Sequence, residues 1–384
     1  MRTRRGSVRT FALLTGGGTA GHVQPALAVG EALVARGHER ATILYVGSRR
    51  GMEGRLVPEA GFEVTLLPGR GIQRRVTVEN LGALGGLLVA FLLALVILVR
   101  RRPRVVVTVG GYAGLPCAVG AILLRVPLVV VSYDAVPGTS NRIVARFATR
   151  CAVAFEGSSL PCQVLTGAPL RRSVLEADRS SPGRETARAT IGVPPGRFLL
   201  AVAGGSLGAR RVNEATVGLA RSWAGRDDVA IYHVTGERNL AVVRAATTGL
   251  GPKDSAENGL DYRLVAYEKK MPALLAACDL AVCRAGASTV AELAAIGTPS
   301  VLVPLPGAPN DHQTRNAEVL SRAGGAVILL DDDCTEEGLR GLVESLMSEP
   351  GRLCAMSAAA AAAGHRDAAE KVAELVESVA RGAA

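Results

Sequence analysis

Aromatic side chains are scarce: 3% of 384 residues, with a single Trp. A groove that stacks the bases of single-stranded nucleic acid would have few rings to use, and no nucleic-acid partner is expected. Metal- and disulfide-forming residues are sparse too, with five His and an odd seven Cys, none in a CxxC pair. Cys278 and Cys283 bracket one apolar run, so the thiols read as small core hydrophobes of a reducing compartment. Acidic residues are in deficit, 34 Asp and Glu against 44 Lys and Arg, for a net charge of +10. That balance favours an anionic partner: a nucleotide phosphate, a lipid pyrophosphate or an acidic membrane surface. A long apolar run at the start is also missing. Behind Arg2, Arg4 and Arg5 stand only Phe11–Leu14, short of the roughly 7–15 residues of a signal core, so a cytoplasmic protein is expected.

What remains is globular, 48% apolar and 20% charged. At about 150 residues per domain the length allows two or three domains. Short β-branched runs alternate with helix-length segments. The first half has Thr42–Val46, Val64–Leu67, Val105–Val109, Leu128–Val131 and Ala152–Phe155. The second has Phe198–Ala203, Val229–Val234, Tyr262–Val265, Leu280–Cys283, Ser300–Val303 and Ala326–Leu330. The runs are unbroken rather than alternating, as in parallel strands covered on both faces, and predict an α/β doubly wound architecture. Residues 177–197, rich in Ser, Pro, Gly and charge, read as a linker between a domain over 1–176 and another over 198–350. The Ala-rich tail 351–384 predicts helix, packing back toward the first domain.

Leu81–Val99 holds no charge over nineteen residues, close to the roughly 20 that span a bilayer. Arg70, Arg74 and Arg75 precede it, and Arg100, Arg101, Arg102 and Arg104 follow. It lies between two strand-like runs, as the crossover helix of a βαβ unit does, and a spanning helix would part those strands. A helix with one face dipping into an anionic membrane fits the basic collar best; an ordinary buried helix is the bland reading.

Two glycine turns open helices at corresponding places: Gly16-Gly17-Gly18-Thr19-Ala20-Gly21-His22 and Gly204-Gly205-Ser206-Leu207-Gly208-Ala209. Such turns present backbone N–H groups to an anion. Gly16, Gly18 and Gly21 satisfy GxGxxG, but the next strand ends Val46-Gly47-Ser48-Arg49-Arg50, without the ribose-binding acid of a dinucleotide site; an NADP oxidoreductase using Arg49 is the alternative. His22 at the mouth of its turn is a candidate base, or merely a cap neighbour. Cys283-Arg284-Ala285-Gly286-Ala287-Ser288-Thr289-Val290-Ala291-Glu292 opens another helix with small residues. There Glu292 could hold a ribose diol or simply complement the helix dipole. Gln313 and Asn316 share a helix face suited to sugar hydroxyls. Asp331-Asp332-Asp333 matches a metal-binding DxD pattern, yet Asp333 with Glu336 reads better as a capping box, and no metal is expected.

The GGGTAGH turn, Gly110-Gly111-Tyr112, Ala135-Val136-Pro137-Gly138 with Asn141-Arg142, and Gly167-Ala168-Pro169-Leu170-Arg171 occur in order. GGSLGAR with Asn213, CRAGASTVAEL and DHQTRNA follow. Over about residues 9–350 this set resembles the MurG family of peptidoglycan N-acetylglucosaminyltransferases. The resemblance implies a GT-B fold, two Rossmann-like domains facing a cleft, and peripheral attachment to the cytoplasmic face of the membrane. It implies transfer of GlcNAc from UDP-GlcNAc to the C4 hydroxyl of MurNAc in lipid I, giving lipid II, with inversion and without a cofactor. Ser206 and the Ala287-Ser288-Thr289-Val290-Ala291 turn would hold the diphosphate with Arg171. Glu292 would take the ribose, the backbone near Tyr267-Glu268 the uracil, and Gln313 and Asn316 the GlcNAc. Thr19, Ala20 and Gly21 would face the acceptor, with His22 as general base. Val131-Ser132-Tyr133-Asp134 departs from the family's His/Ala-Glu-Gln-Asn run, Leu207 replaces Gln, and Ala168 replaces Asn. Asp134 is expected to orient or assist His22. A GT-B transferase with another lipid or natural-product acceptor, or an inactive sugar-nucleotide binder, are the other readings.

Overall fold

The computed structural model describes residues 9–18, 20–68, 78–205, 208–253 and 257–382, side chains at 20 and 78–84 excepted. Thr19, Arg70, Arg74, Arg75, Ser206 and Leu207 lie outside the described residues. The chain forms two compact units, one of residues 1–171 with 366–384 and one of residues 172–365.

In the first unit β1 (Ala12–Thr15), β2 (Ile43–Ser48), β3 (Glu63–Leu67), β4 (Val105–Thr108), β5 (Leu128–Ser132), β6 (Arg150–Val153) and β7 (Gln163–Leu165) form one sheet. Its order is β3-β2-β1-β4-β5-β6-β7. Every pairing is parallel, with Leu13 in register with Val106. The helices are α1 (Ala20–Ala35), α2 (Glu53–Glu59), α3 (Val78–Arg101), α4 (Leu115–Leu123) and α5 (Thr139–Ala145). One sheet face (Leu13, Val106, Val130, Val153) packs with Ala90, Ala94 and Leu98 of α3 and Cys117, Ala118 and Ala121 of α4. The other side of α3 is bare: Leu88, Leu92, Val96 and Val99 are between 44% and 59% exposed. Among the described residues no helix is long and apolar enough to cross a membrane.

The second unit repeats the plan with β8 (Phe198–Ala203), β9 (Val229–Val234), β10 (Asp261–Val265), β11 (Leu280–Cys283), β12 (Ser300–Leu302) and β13 (Ala326–Ile328). These run parallel in the order β10-β9-β8-β11-β12-β13. Its helices are α6 (Arg172–Leu175), α7 (Ser181–Ile191), α8 (Arg210–Ser222), α9 (Leu240–Ala246), α10 (Met271–Ala277), α11 (Ala287–Ile296), α12 (His312–Arg322), α13 (Glu336–Met347) and α14 (Pro350–Ala363). Trp223 fills the core beside Leu339, Val343 and Leu346 and donates its indole N–H to Glu344 (2.9 Å).

Residues 177–197, linker-like in composition, carry α7 and belong to this unit. Arg188 donates to Asp279 (2.8 Å), and Arg179 caps the end of α10 by donating to the carbonyls of Leu275, Ala276 and Cys278. The charge that reads as solvated linker is spent on one buried-edge carboxylate and a helix C-terminus. α13 is capped by Thr335, whose hydroxyl accepts from Gly338 N–H (3.1 Å), rather than by Asp333. The chain then returns to the first unit as α15 (Ala368–Arg381). Its Ala369, Val372, Ala373 and Val376 are buried at helical spacing, and Arg36, in the turn just after α1, pairs with Glu374 and Glu377.

Candidate functional site

In both sheets the strand order reverses direction beside the first strand, between β1 and β4 and between β8 and β11. Ligands of open α/β sheets bind outside the strand carboxyl ends at such switch points. The sequence puts its chemistry there: a glycine turn after β1, Gly110-Gly111 after β4, a glycine turn after β8, and CRAGAS after β11.

In the second unit these segments line a cavity of 650 Å³. Its walls are Gly204, Gly205 and Gly208 of the turn, Arg210, Arg211 and Glu214 of α8, Arg284, Gly286 and Thr289 at the start of α11, with Leu305, Gln313 and Asp331. Gly208 has φ +77°, and a Cβ there would stand 2.2 Å from the Thr235 carbonyl, so only glycine fits. A buried network holds that floor. Asn213 donates to Thr235 O (3.1 Å), its Oδ1 meets His233 Nε2 (3.0 Å), and His233 Nδ1 meets the Tyr262 hydroxyl (2.8 Å). With the Asn213 amide N–H committed, its oxygen accepts from Nε2–H and Nδ1 accepts from the phenol. Burial lowers the His233 pKa to about 3, so the ring is neutral.

α11 begins at Gly286 with extended backbone, and its first intrahelical bond is Val290 N–H to Gly286 O. The first-turn amides at 287–289 precede that ladder at the positive end of the helix, a seat for a diphosphate. Ala287 and Val290 are buried; Ser288, Thr289, Ala291 and Glu292 are half-buried. Gln313 accepts from Leu305 N–H (3.0 Å) at the cavity wall, whereas Asn316 is fully buried and donates to Ala285 O (3.2 Å). Asn316 thus supports the loop leading into α11 from behind. Glu268, in the loop after β10, accepts from the Tyr232 hydroxyl and from Lys270 N–H (2.6 Å).

Arg211 was not singled out as a site residue, and Arg284 and Asp331 entered only as members of longer runs, yet all three line the cavity. Arg284 donates to Asp331 (2.6 Å) and to the carbonyls of Val303 and Pro304, while Arg211 donates to Asp331 and Asp332. Asp331 and Asp332 of the Asp-Asp-Asp run are therefore held by arginines. The sequence signal for this was the Arg-Arg pair after GGSLGA.

In the first unit the glycine turn is braced from within. A Cβ on Gly17 would lie 1.8 Å from Glu53 Oε1. That carboxylate is fully buried and accepts from Gly18 N–H (3.0 Å) and Ser48 N–H (3.2 Å). Tyr45 donates to Gly16 O (2.9 Å) and Tyr133 to Gly21 O (2.8 Å). His22 is half-buried on the first turn of α1, its ring edge-on to Tyr133 at 6.0 Å between centroids. Asp134 follows at the exit of β5, half-buried. Arg171 ends this unit after Ala168, Pro169 and Leu170, all buried. Burial raises the Tyr133 pKa well above its ordinary value, with Asp134 and Tyr45 adding to the effect, so the phenol stays a donor.

Residues 12–153 match the glycosyltransferase family 28 N-terminal domain and residues 199–372 its C-terminal domain. A UDP-N-acetylglucosamine--N-acetylmuramyl-(pentapeptide) pyrophosphoryl-undecaprenol N-acetylglucosamine transferase of Acidothermus cellulolyticus is 41% identical, the match covering 96% of this chain and 97% of that one. A relative of the same name from Desulforudis audaxviator is 36% identical over 96% and 98%. The crystal structure of Acinetobacter baumannii MurG superposes with TM-score 0.72 at 26% identity, covering 96% of this chain and 99% of that chain. A UDP-GlcNAc 2-epimerase from Neisseria meningitidis shares the fold alone, with TM-score 0.64 at 10% identity over 96% and 99%.

Proposed function

Since the chain belongs to the MurG branch of glycosyltransferase family 28, we propose that it transfers GlcNAc from UDP-GlcNAc to the C4 hydroxyl of MurNAc in lipid I, yielding lipid II. The observation that carries the donor half is the cavity framed by the second glycine turn, the start of α11 and Gln313. The diphosphate sits on the α11 amides and the turn containing Ser206, with Arg171 as a further counter-charge. Glu292 holds the ribose and Gln313 a GlcNAc hydroxyl, with Asn316 bracing the wall. The uracil edge meets the backbone at Glu268.

In one in-line displacement the acceptor oxygen attacks the anomeric carbon opposite the departing UDP, inverting it. The hydroxyl proton passes to His22, and the C1–O bond breaks with its electrons going to the diphosphate. Charge growing on UDP is met by oriented amides, which need no reorganisation as it develops. Asp134 orients or assists His22, and Thr19, Ala20 and Gly21 line the acceptor side.

The bare side of α3 docks on anionic lipid at the cytoplasmic membrane face. Its apolar row ends at a 440 Å³ cavity lined by Arg9, Arg102, Arg104 and Arg125, which gives the charge complementarity such a surface needs. Radiolabelled UDP-GlcNAc offered with lipid I and with simpler prenyl phosphates tests the reading. Label enters lipid II; label entering only another acceptor selects the natural-product alternative.

A further inference from the structure

The first turn of α1 contains a defect that a residue from β5 repairs. Pro25 lies inside α1, four residues after Gly21. In a regular helix the Gly21 carbonyl would accept from the amide of residue 25, but proline has no amide hydrogen, and its ring pushes the carbonyl of residue i−4 outward. The atom that receives a bond from elsewhere is this same Gly21 oxygen: the Tyr133 hydroxyl donates to it at 2.8 Å. Tyr133 is 5% exposed and leaves β5 one residue after its end, so both the strand and its surroundings fix the phenol. His22 is the next residue along α1, with its ring edge-on to the Tyr133 ring. A tyrosine here is a departure from the family-like run, in which this third place is usually Gln.

We propose that Tyr133 is a positioning residue for His22: its phenol supplies the hydrogen bond that Pro25 cannot give to Gly21, and its ring edge fixes the imidazole plane. The proposal rests on His22 being the base. Reactive geometry is sensitive to ångström-scale misplacement, so losing the bond acts on turnover more than on donor binding.

The test is a double-mutant cycle. Tyr133→Phe keeps the ring and removes the donor, while Pro25→Ala restores an amide at residue 25. Tyr133→Phe lowers kcat about tenfold with the UDP-GlcNAc KM within twofold, and the melting temperature and UDP titration stay close to the parent. Tyr133→Gln, which keeps an N–H donor, recovers a third or more of the lost turnover. In the Pro25→Ala background Tyr133→Phe costs less than threefold. An equal loss in both backgrounds, parental turnover in Tyr133→Phe, or KM rising in step with the fall in kcat overturns the proposal. His22→Ala separates the two readings. Parental turnover in that variant removes the base and the positioning role together. An inactive His22→Ala beside a fully active Tyr133→Phe removes the positioning role alone.

Discussion

At the scale of single residues, the two imidazoles differ in duty because their surroundings differ. His22, the base proposed for the acceptor hydroxyl, is half-buried at a helix start. His22→Ala is expected to lower kcat by about a hundredfold or more, while UDP-GlcNAc affinity, read by titration, stays near the parent. Asp134→Asn lowers turnover and displaces the pH–rate profile; full turnover with an unmoved profile ends that role for Asp134. His233, with its pKa lowered to about 3 by burial, works in the fold. At intermediate pH the unfolded chain binds a proton that the folded one refuses. Its contribution is therefore complete above the unfolded pKa of about 6.5 and is lost as pH falls toward 3. Thermal melts from pH 7 to pH 4 should fall, and His233→Gln should flatten part of that fall. The sequence singled out His22 as a candidate, because a GGGTAGH turn ends on it. It did not show His233, Glu53 or Tyr133 as supports. Their partners are 20, 35 and 112 residues away in the chain, and no local spacing encodes such meetings.

At the scale of elements, α3 shows how far composition can reach. The uncharged run Leu81–Val99 announces an apolar helix but not which side is covered. Packing settles it: Leu98 is 1% exposed and Leu92 53% exposed. Leu98→Ala should cost about 2–5 kcal/mol in denaturant melts. Placing Asp at both Val89 and Leu92 should leave the melt unchanged and lower sedimentation with anionic vesicles; unchanged sedimentation would end the docking role. Strand runs other than β7 were legible to within a residue or two, since they are short apolar stretches with little charge inside them. β7 was not, because it is only three residues long and all of them are exposed, so Val164 and Leu165 make too short an apolar run to mark a strand. α7 was hidden for the opposite reason: Ser180 caps it and Pro182 opens it, but its arginines read as solvated until Asp279 is placed beside them.

At the scale of the whole molecule, sequence order and spatial order diverge. The last helix, α15, belongs to the unit that the first strand begins. Arg36 holds the Glu377 carboxyl below its usual range, with His38 contributing, and a depressed acid stabilises above its unfolded pKa. Docking of α15 should thus loosen as pH falls below about 4.3. Hydrogen exchange along α15 should report this before the second unit's strands lose protection. Glu377→Gln should exchange faster at neutral pH and show less of the acid change.

The amino-terminal unit is consequently completed only once α15 has been synthesised. The middle segment, residues 172–365, is continuous in the chain, so it can close on itself while the amino-terminal unit still waits for α15. Truncation before residue 368 would uncover α1 and the face of β4, β5 and β6 against which α15 packs, turning a late truncation into an early-domain defect.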